Sequence, residues 1–151
     1  MRIVRGDLLA LAQTGEFDVI IHGCNCQCVM GRGIALSIKQ QFPTAYAADL
    51  RTEKGSAAKL GTYSSAKVET NGRTIIIVNA YTQFHWKGSG VKADYDAVHR
   101  VMRAIAHDFA NSRIGYPKIG AGLGGGDWSV ISAIIDTELE GLDHTCVDFT
   151  G

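Results

Sequence analysis

What the chain lacks narrows it first. None of its 151 residues falls in an apolar run approaching the ~20 needed to cross a bilayer. The N-terminus, Met1-Arg-Ile-Val-Arg-Gly-Asp7, has no secretory signal core, which predicts a cytoplasmic, reducing location. There is no net charge: 15 Lys plus Arg balance 15 Asp plus Glu. No global field therefore draws the chain to a membrane or to nucleic acid, although local basic patches are allowed. Cys-x2-Cys spacing and a following Cys/His knuckle are both missing. Cys24, Cys26 and Cys28 alternate, which puts them on one side of an extended segment. They read as small buried thiols rather than a metal cluster. Repeats, linkers and low-complexity tracts are also lacking, so one domain over 1–151 is expected.

What is present is ordinary for a soluble globular protein: 46% hydrophobic and 20% charged residues, enough to bury a core unaided. Arg2 to Gly6 predicts a short strand, and Leu8 to Ala12 a short helix. Phe17 to Ile21 is a nearly continuous apolar run, the pattern of a strand covered on both faces. His22 to Arg32 predicts a loop. Helices follow over Gly33 to Phe42 and from Pro43 through Leu50. Thr62 to Thr70 and Thr74 to Tyr81 flank Asn71-Gly72, a hairpin signal. Gln83 to Lys92 reads as a loop. Asp94 to about Ala110 carries a helical stripe of Tyr95, Val98, Met102, Ile105 and Phe109. A strand over Ile114 to Ile119, a helix from Asp127 and a last strand over His144 to Phe149 complete the chain. This alternation predicts an α/β fold with helices on both sides of a mixed sheet.

In such sheets ligands bind beyond the carboxyl ends of strands, where two glycine-bearing loops fall. Gly120-x-Gly122-x-x-Gly125 lies between a strand and a helix, inside a run of five glycines in seven residues. It matches the dinucleotide fingerprint, but the chain ends one strand later, and no Gly-Lys-Ser/Thr of a Walker A loop follows. Glycine lets the backbone approach a ligand, and a helix start presents unpaired N–H groups, so phosphate binding is predicted here. Met30-Gly31-Arg32-Gly33 opens a second helix. Two such loops facing one cleft would grip a diphosphate from both sides.

Three side chains carry alternatives. Asp7 follows the first strand and suits either a helix N-cap or an acceptor for an adenine amino group. His22 ends the buried apolar run and suits a general acid–base or a core histidine. Asn25 stands three residues on. Asp127 suits an N-cap, a carboxylate that orients water, or both.

Taken together, Gly6-Asp7-Leu8, His22-Gly-Cys-Asn25, Met30-Gly-Arg-Gly-Ile-Ala35, Asn79-Ala-Tyr-Thr-Gln83 and Pro117-Lys-Ile-Gly-Ala-Gly-Leu-Gly-Gly-Gly-Asp-Trp128 resemble the macrodomain family over essentially the whole chain. The nearest branch holds ADP-ribose 1″-phosphate phosphatases, terminal ADP-ribose glycohydrolases and a DNA-directed antitoxin. The resemblance implies a three-layer α/β/α fold with a central mixed sheet, and ADP-ribose as ligand. Asp7, with Leu8 beside it, would hold adenine, and Asn25 the distal ribose. Met30, Gly31, Arg32, Gly33 and Ile34 would cradle the diphosphate, facing Gly120, Ala121, Gly122, Leu123, Gly124 and Gly125. His22 and Asp127 match the catalytic positions of the phosphatase type. Hydrolysis of ADP-ribose 1″-phosphate is the activity implied, with de-ADP-ribosylation of protein or nucleic acid, or ligand reading alone, as rivals. Two departures bear on this: Gln83 stands where the glycohydrolases carry a catalytic lysine, and Gly124 where a human-type relative carries an aspartate. Lys87 and Lys92 are candidate replacements for that lysine. No cofactor, metal or membrane partner is expected, nucleic acid only as a modified substrate, and the chain is expected to be a monomer.

Overall fold

A computed structural model of the chain describes residues 1–87 and 90–149. Residues 88 and 89, inside the loop expected over 83–92, lie outside the described residues. Six strands form one sheet: β1 (Arg2–Arg5), β2 (Val19–Asn25), β3 (Tyr63–Thr70), β4 (Arg73–Gln83), β5 (Ile114–Tyr116) and β6 (His144–Asp148). Their order is β1-β6-β5-β2-β4-β3, with every neighbouring pair parallel except the β3–β4 hairpin. That hairpin closes at Asn71-Gly72, both at positive φ (51° and 73°), as the dipeptide requires.

Helices cover both faces, giving the α/β/α layering. On one side, α4 (Tyr95–Asp108) and α5 (Trp128–Glu138) bury Val98, Met102, Ile105, Ile131 and Ile135 against Val19, Ile21 and Val78. On the other, α1 (Leu8–Gln13), α2 (Gly33–Gln41) and α3 (Pro43–Leu50) pack Leu9, Ile38 and Ala45 against Ile20, Ile75 and Ile77. The alternation of Val19, Ile20 and Ile21 between the two cores explains why that run shows no polar face.

Three boundaries differ from expectation. First, β2 continues through His22, Gly23, Cys24 and Asn25, because β4 pairs with it in parallel along that stretch, His22 in register with Asn79. Second, β5 stops at Tyr116, since Pro117 has no N–H to continue a ladder. Third, Ala57–Lys59 forms a 3-10 turn between Gly55 and Gly61, glycines that bracket a loop by sequence. Gly115 of β5 is required by packing. A Cβ there would meet the Phe17 ring at 2.6 Å. Gly115→Ala is therefore expected to cost about 2 kcal/mol by overpacking, read as a lowered denaturation midpoint.

Candidate functional site

The parallel strands end together. Asn25 closes β2, Gln83 closes β4, and Pro117 to Gly124 leaves β5. Between them and the start of α2 opens a cleft of about 540 Å³. Its walls are the two loops read from sequence: Asn25, Gly31, Arg32, Gly33 and Ile34 on one side, and Gly120, Gly122, Leu123 and Gly124 on the other. Gln83 stands between them.

The first wall is held from within. The Asn25 amide donates to Val29 O (2.9 Å) and its Oδ1 accepts from Gln27 N (2.9 Å), which closes the loop after β2. Gly33 then begins α2 at positive φ (57°). Arg32 occupies the N-cap and makes no side-chain cap bond. The first N–H groups of α2, at Gly33, Ile34 and Ala35, therefore lack a side-chain cap while their residues line the cleft. Uncapped N–H groups at the positive end of a helix dipole favour an anion.

The second wall is a folded-back glycine loop. Gly120, at φ 73°, turns the chain so that its carbonyl accepts Gly126 N at 2.7 Å. The Gly124 carbonyl accepts Lys92 N (2.7 Å) and Ala93 N (3.2 Å). A lone bridge pairs Gln83 with Ala93, which sets Lys92 beside the end of β4. Lys92 lines the cleft, as do Arg32 and Lys118. Lys118 also reaches Asp148 at 3.6 Å. Among the described lining residues there are three cations and no carboxylate, a setting for a polyanion.

The start of α5 is different from what the sequence suggests. Asp127 is its N-cap: Oδ1 accepts from Ser129 N (2.9 Å) and from Ser129 Oγ (2.7 Å). Those bonds hold the exposed carboxyl below its ordinary range. A capped, negatively charged helix start repels phosphate, so the anion-receptive helix is α2 and not α5. Asp127 does not line the cleft.

His22 takes the core-histidine alternative. Its side chain is wholly buried on the α3 side of the sheet, with Nε2 2.7 Å from Asn79 Oδ1 and Cys24 Sγ 3.5 Å away. Asn79 in turn donates to Ala45 O. Burial pushes the His22 pKa down to about 4, against the weaker pull of Asn79. In this geometry the ring does not line the cleft, and its surroundings are those of the core-histidine alternative, on a strand that runs on past it.

The match to known sequences is decisive at this point. The Macro domain family model covers residues 21–135. The chain belongs to the macrodomain family. This macrodomain is similar to an uncharacterized 17.5 kDa protein of Enterobacteria phage T4, 35% identical over 99% of this chain and 96% of that one. It is similar to the ADP-ribose glycohydrolase OARD1 of Bos taurus, 29% identical over 97% of this chain and 89% of that one. The macrodomain of Thermus aquaticus DarG shares the fold, with a TM-score of 0.73 at 24% identity over 99% of this chain and 97% of that one.

Other expected site residues of this macrodomain fall outside the cleft wall. Leu8 and Met30 are buried in the α1–α3 core. Asp7 caps α1, its Oδ1 accepting from Ala10 N at 3.1 Å, and stays exposed. Ala121 and Gly125 sit in the glycine loop but do not line the cleft. Gly124 has a physical reason to lack an acid. A Cβ there would lie 2.7 Å from Gly120 O and 3.0 Å from Gln83 Oε1. Of the two lysines, Lys92 lines the cleft, while Lys87 lies over the Trp86 ring at 5.3 Å. Sequence reading missed Thr82, Cys24, Trp86 and Lys118 as wall residues. Trp86 carried a signal, an aromatic in a polar, glycine-bearing loop beside a predicted site.

Proposed function

We propose that this macrodomain binds ADP-ribose in the cleft and acts as a hydrolase on ADP-ribose 1″-phosphate, releasing ADP-ribose and phosphate. One observation carries the reading: the uncapped start of α2 opens into a cleft that holds Arg32, Lys92 and Lys118 and no described carboxylate. A ligand with a diphosphate and one further phosphate complements that field. The α2 N–H groups and the glycine loop hold the diphosphate, and Asn25 keeps the distal-ribose wall in shape. Water adds to phosphorus, the bond from phosphorus to the ribose oxygen breaks, and that oxygen leaves with a proton. Lys92 stabilises the phosphate charge during this step. His22 and Asp127 hold the framework, through Asn79 and through the α5 cap.

A second reading is favoured by the cleft mouth. Leu123 is 59% exposed and Trp86 36% exposed, which leaves apolar surface for a larger leaving group. Similarity to a protein named ADP-ribose glycohydrolase supports this reading as well. In it the same cleft removes ADP-ribose from modified protein or nucleic acid. The deciding assay compares phosphate release from ADP-ribose 1″-phosphate with ADP-ribose release from modified protein and DNA. Lys92→Ala is expected to lower kcat/KM on the preferred substrate about 10-fold, or about 1.4 kcal/mol. Loss of turnover in Asp127→Ala with Lys92→Ala unaffected would return the chemistry to Asp127. Tight ADP-ribose binding with no turnover on any substrate would leave a reader.

A further inference from the structure

Two buried side-chain oxygens find no hydrogen-bond partner among the described residues: Thr82 Oγ1 and Thr145 Oγ1. They lie at opposite ends of the sheet. β6, β5, β2 and β4 run parallel, with Thr145 near the start of β6 and Thr82 near the end of β4. Thr82 therefore belongs to the end where the cleft opens, and it lines that cleft, whereas Thr145 does not. A buried hydroxyl without a partner destabilises the fold, so each such group asks for an explanation.

The surroundings of Thr82 supply one. Its backbone is fixed: its carbonyl accepts Asp94 N at 2.8 Å, at the N-cap of α4. Its side chain faces a bare stretch of β2. A Cβ on Gly23 would lie 2.9 Å from Thr82 Oγ1, 3.1 Å from Ile119 Cγ2 and 4.0 Å from Gly120 N. Gly23 is not among the glycines at positive φ, so its backbone does not demand glycine. What demands it is the space beside the hydroxyl. A glycine inside a strand is often the mark of such a close approach. Gly23, Thr82, Ile119 and Gly120 all line the cleft, so together they make a floor between its two walls. A methyl group and a backbone N–H are the atoms beside the hydroxyl there, and neither is charged. A threonine hydroxyl both donates and accepts. In a neutral setting its natural complement is another hydroxyl, while phosphate goes to the open start of α2 and the cleft cations.

From this geometry we infer that the Thr82 hydroxyl is a specificity-determining contact for a hydroxyl of the ligand's distal ribose. The inference rests on the cleft being the ADP-ribose site. Thr82 is 0% exposed, so the sugar reaches it as Gly120 and its loop ease outward, a movement that glycines allow. The ligand-free protein carries the unpaired hydroxyl, and the bound sugar pairs it. A ligand that lacks the sugar leaves the hydroxyl unpaired, so the site discriminates against it.

The test uses the folded full chain and two ligands. ADP shares the adenosine and diphosphate of ADP-ribose and lacks its distal ribose. Calorimetric titration with each is made on the wild type, Thr82→Val, Thr82→Ser and Thr145→Val, together with a thermal midpoint of each ligand-free protein. Thr82→Val keeps the side-chain shape and removes the hydroxyl. It is expected to weaken ADP-ribose about 10-fold and ADP by less than about twofold. Thr82→Ser, which keeps the hydroxyl, is expected to recover ADP-ribose affinity to within about threefold of the wild type. The free Thr82→Val protein is expected to melt about 2 °C higher, since an unpaired buried hydroxyl is gone. Thr145→Val is expected to raise the midpoint in the same way and to leave both affinities unchanged. A merely structural Thr82 would not combine a higher midpoint with a selective loss of ADP-ribose. Equal weakening of both ligands overturns the inference. So does no weakening of either, which would mean that solvent alone serves the hydroxyl. A lower midpoint in Thr82→Val also overturns it, because the hydroxyl would then be paired within the protein. Loss of ADP-ribose affinity in Thr145→Val as large as in Thr82→Val does the same. A wild type that binds neither ligand strikes the proposed function and this inference with it. A wild type that binds ADP-ribose and shows none of the Thr82 effects strikes this inference alone.

Discussion

Gly124→Ala is expected to weaken ADP-ribose binding about 100-fold, or about 2.7 kcal/mol. The new Cβ would sit 2.7 Å from Gly120 O, a backbone atom that no rotamer change can move. That carbonyl is already fixed by Gly126 N at 2.7 Å, so the clash has to be relieved by shifting the loop. The shift reaches both sides of the cleft. The Gly124 carbonyl holds Lys92 and Ala93, and Gln83 Oε1 lies 3.0 Å from the same Cβ position. One methyl group therefore displaces the glycine wall, a cleft cation and the end of β4 together. Calorimetric titration with ADP-ribose checks this, alongside a circular dichroism spectrum that shows the sheet intact. An affinity within threefold of the wild type would mean that this loop does not form the ligand wall.

Much of the fold was legible because its signals are local. Asn71-Gly72 set the hairpin, and the stripe through Val98, Met102 and Ile105 set α4. The apolar run around Val19 to Ile21 marked a strand between two helical layers. What was not legible was where that strand ends. His22-Gly-Cys-Asn reads as loop by composition. It is strand in the structure because β4 pairs beside it and Gly23 lets Thr82 and Ile119 approach closely. Tertiary pairing overrode local propensity there.

The site follows the same division. Both glycine loops were visible, because glycine runs at strand ends have few other uses. Their unequal roles were not. Asp127 and Arg32 each precede a helix, and only side-chain geometry shows that one start is capped and the other open. Lys92 was one of two lysines in a polar loop, and its place depends on the Gln83–Ala93 bridge, a contact across ten residues. Long-range contacts of that kind leave no periodicity to read.

The burial of His22 in the core carries its own expected result. The protein should lose about 2.5 kcal/mol of stability between pH 7 and pH 4.5 through this residue alone. Folded His22 titrates at about 4 against 6.5 for the ordinary group. Between those values the unfolded chain binds a proton that the native state refuses. Stability is therefore fully present above pH 6.5 and falls as the pH drops toward 4, approaching about 3 kcal/mol in all. The physical cause is desolvation first: a charged imidazole would sit at zero exposure, and the single 2.7 Å contact to Asn79 Oδ1 only partly offsets that cost. Burial lowers the His144 pKa as well, so some acid sensitivity remains without His22. The measurement is the urea unfolding free energy of wild type and His22→Gln at pH 7 and at pH 4.5. The variant loses packing at both values, which cancels in its own difference. Its fall between the two should be smaller than the wild type's by about 2.5 kcal/mol. Equal falls in both proteins would mean that His22 titrates as an accessible group, and would bring it back as a candidate for chemistry at the cleft.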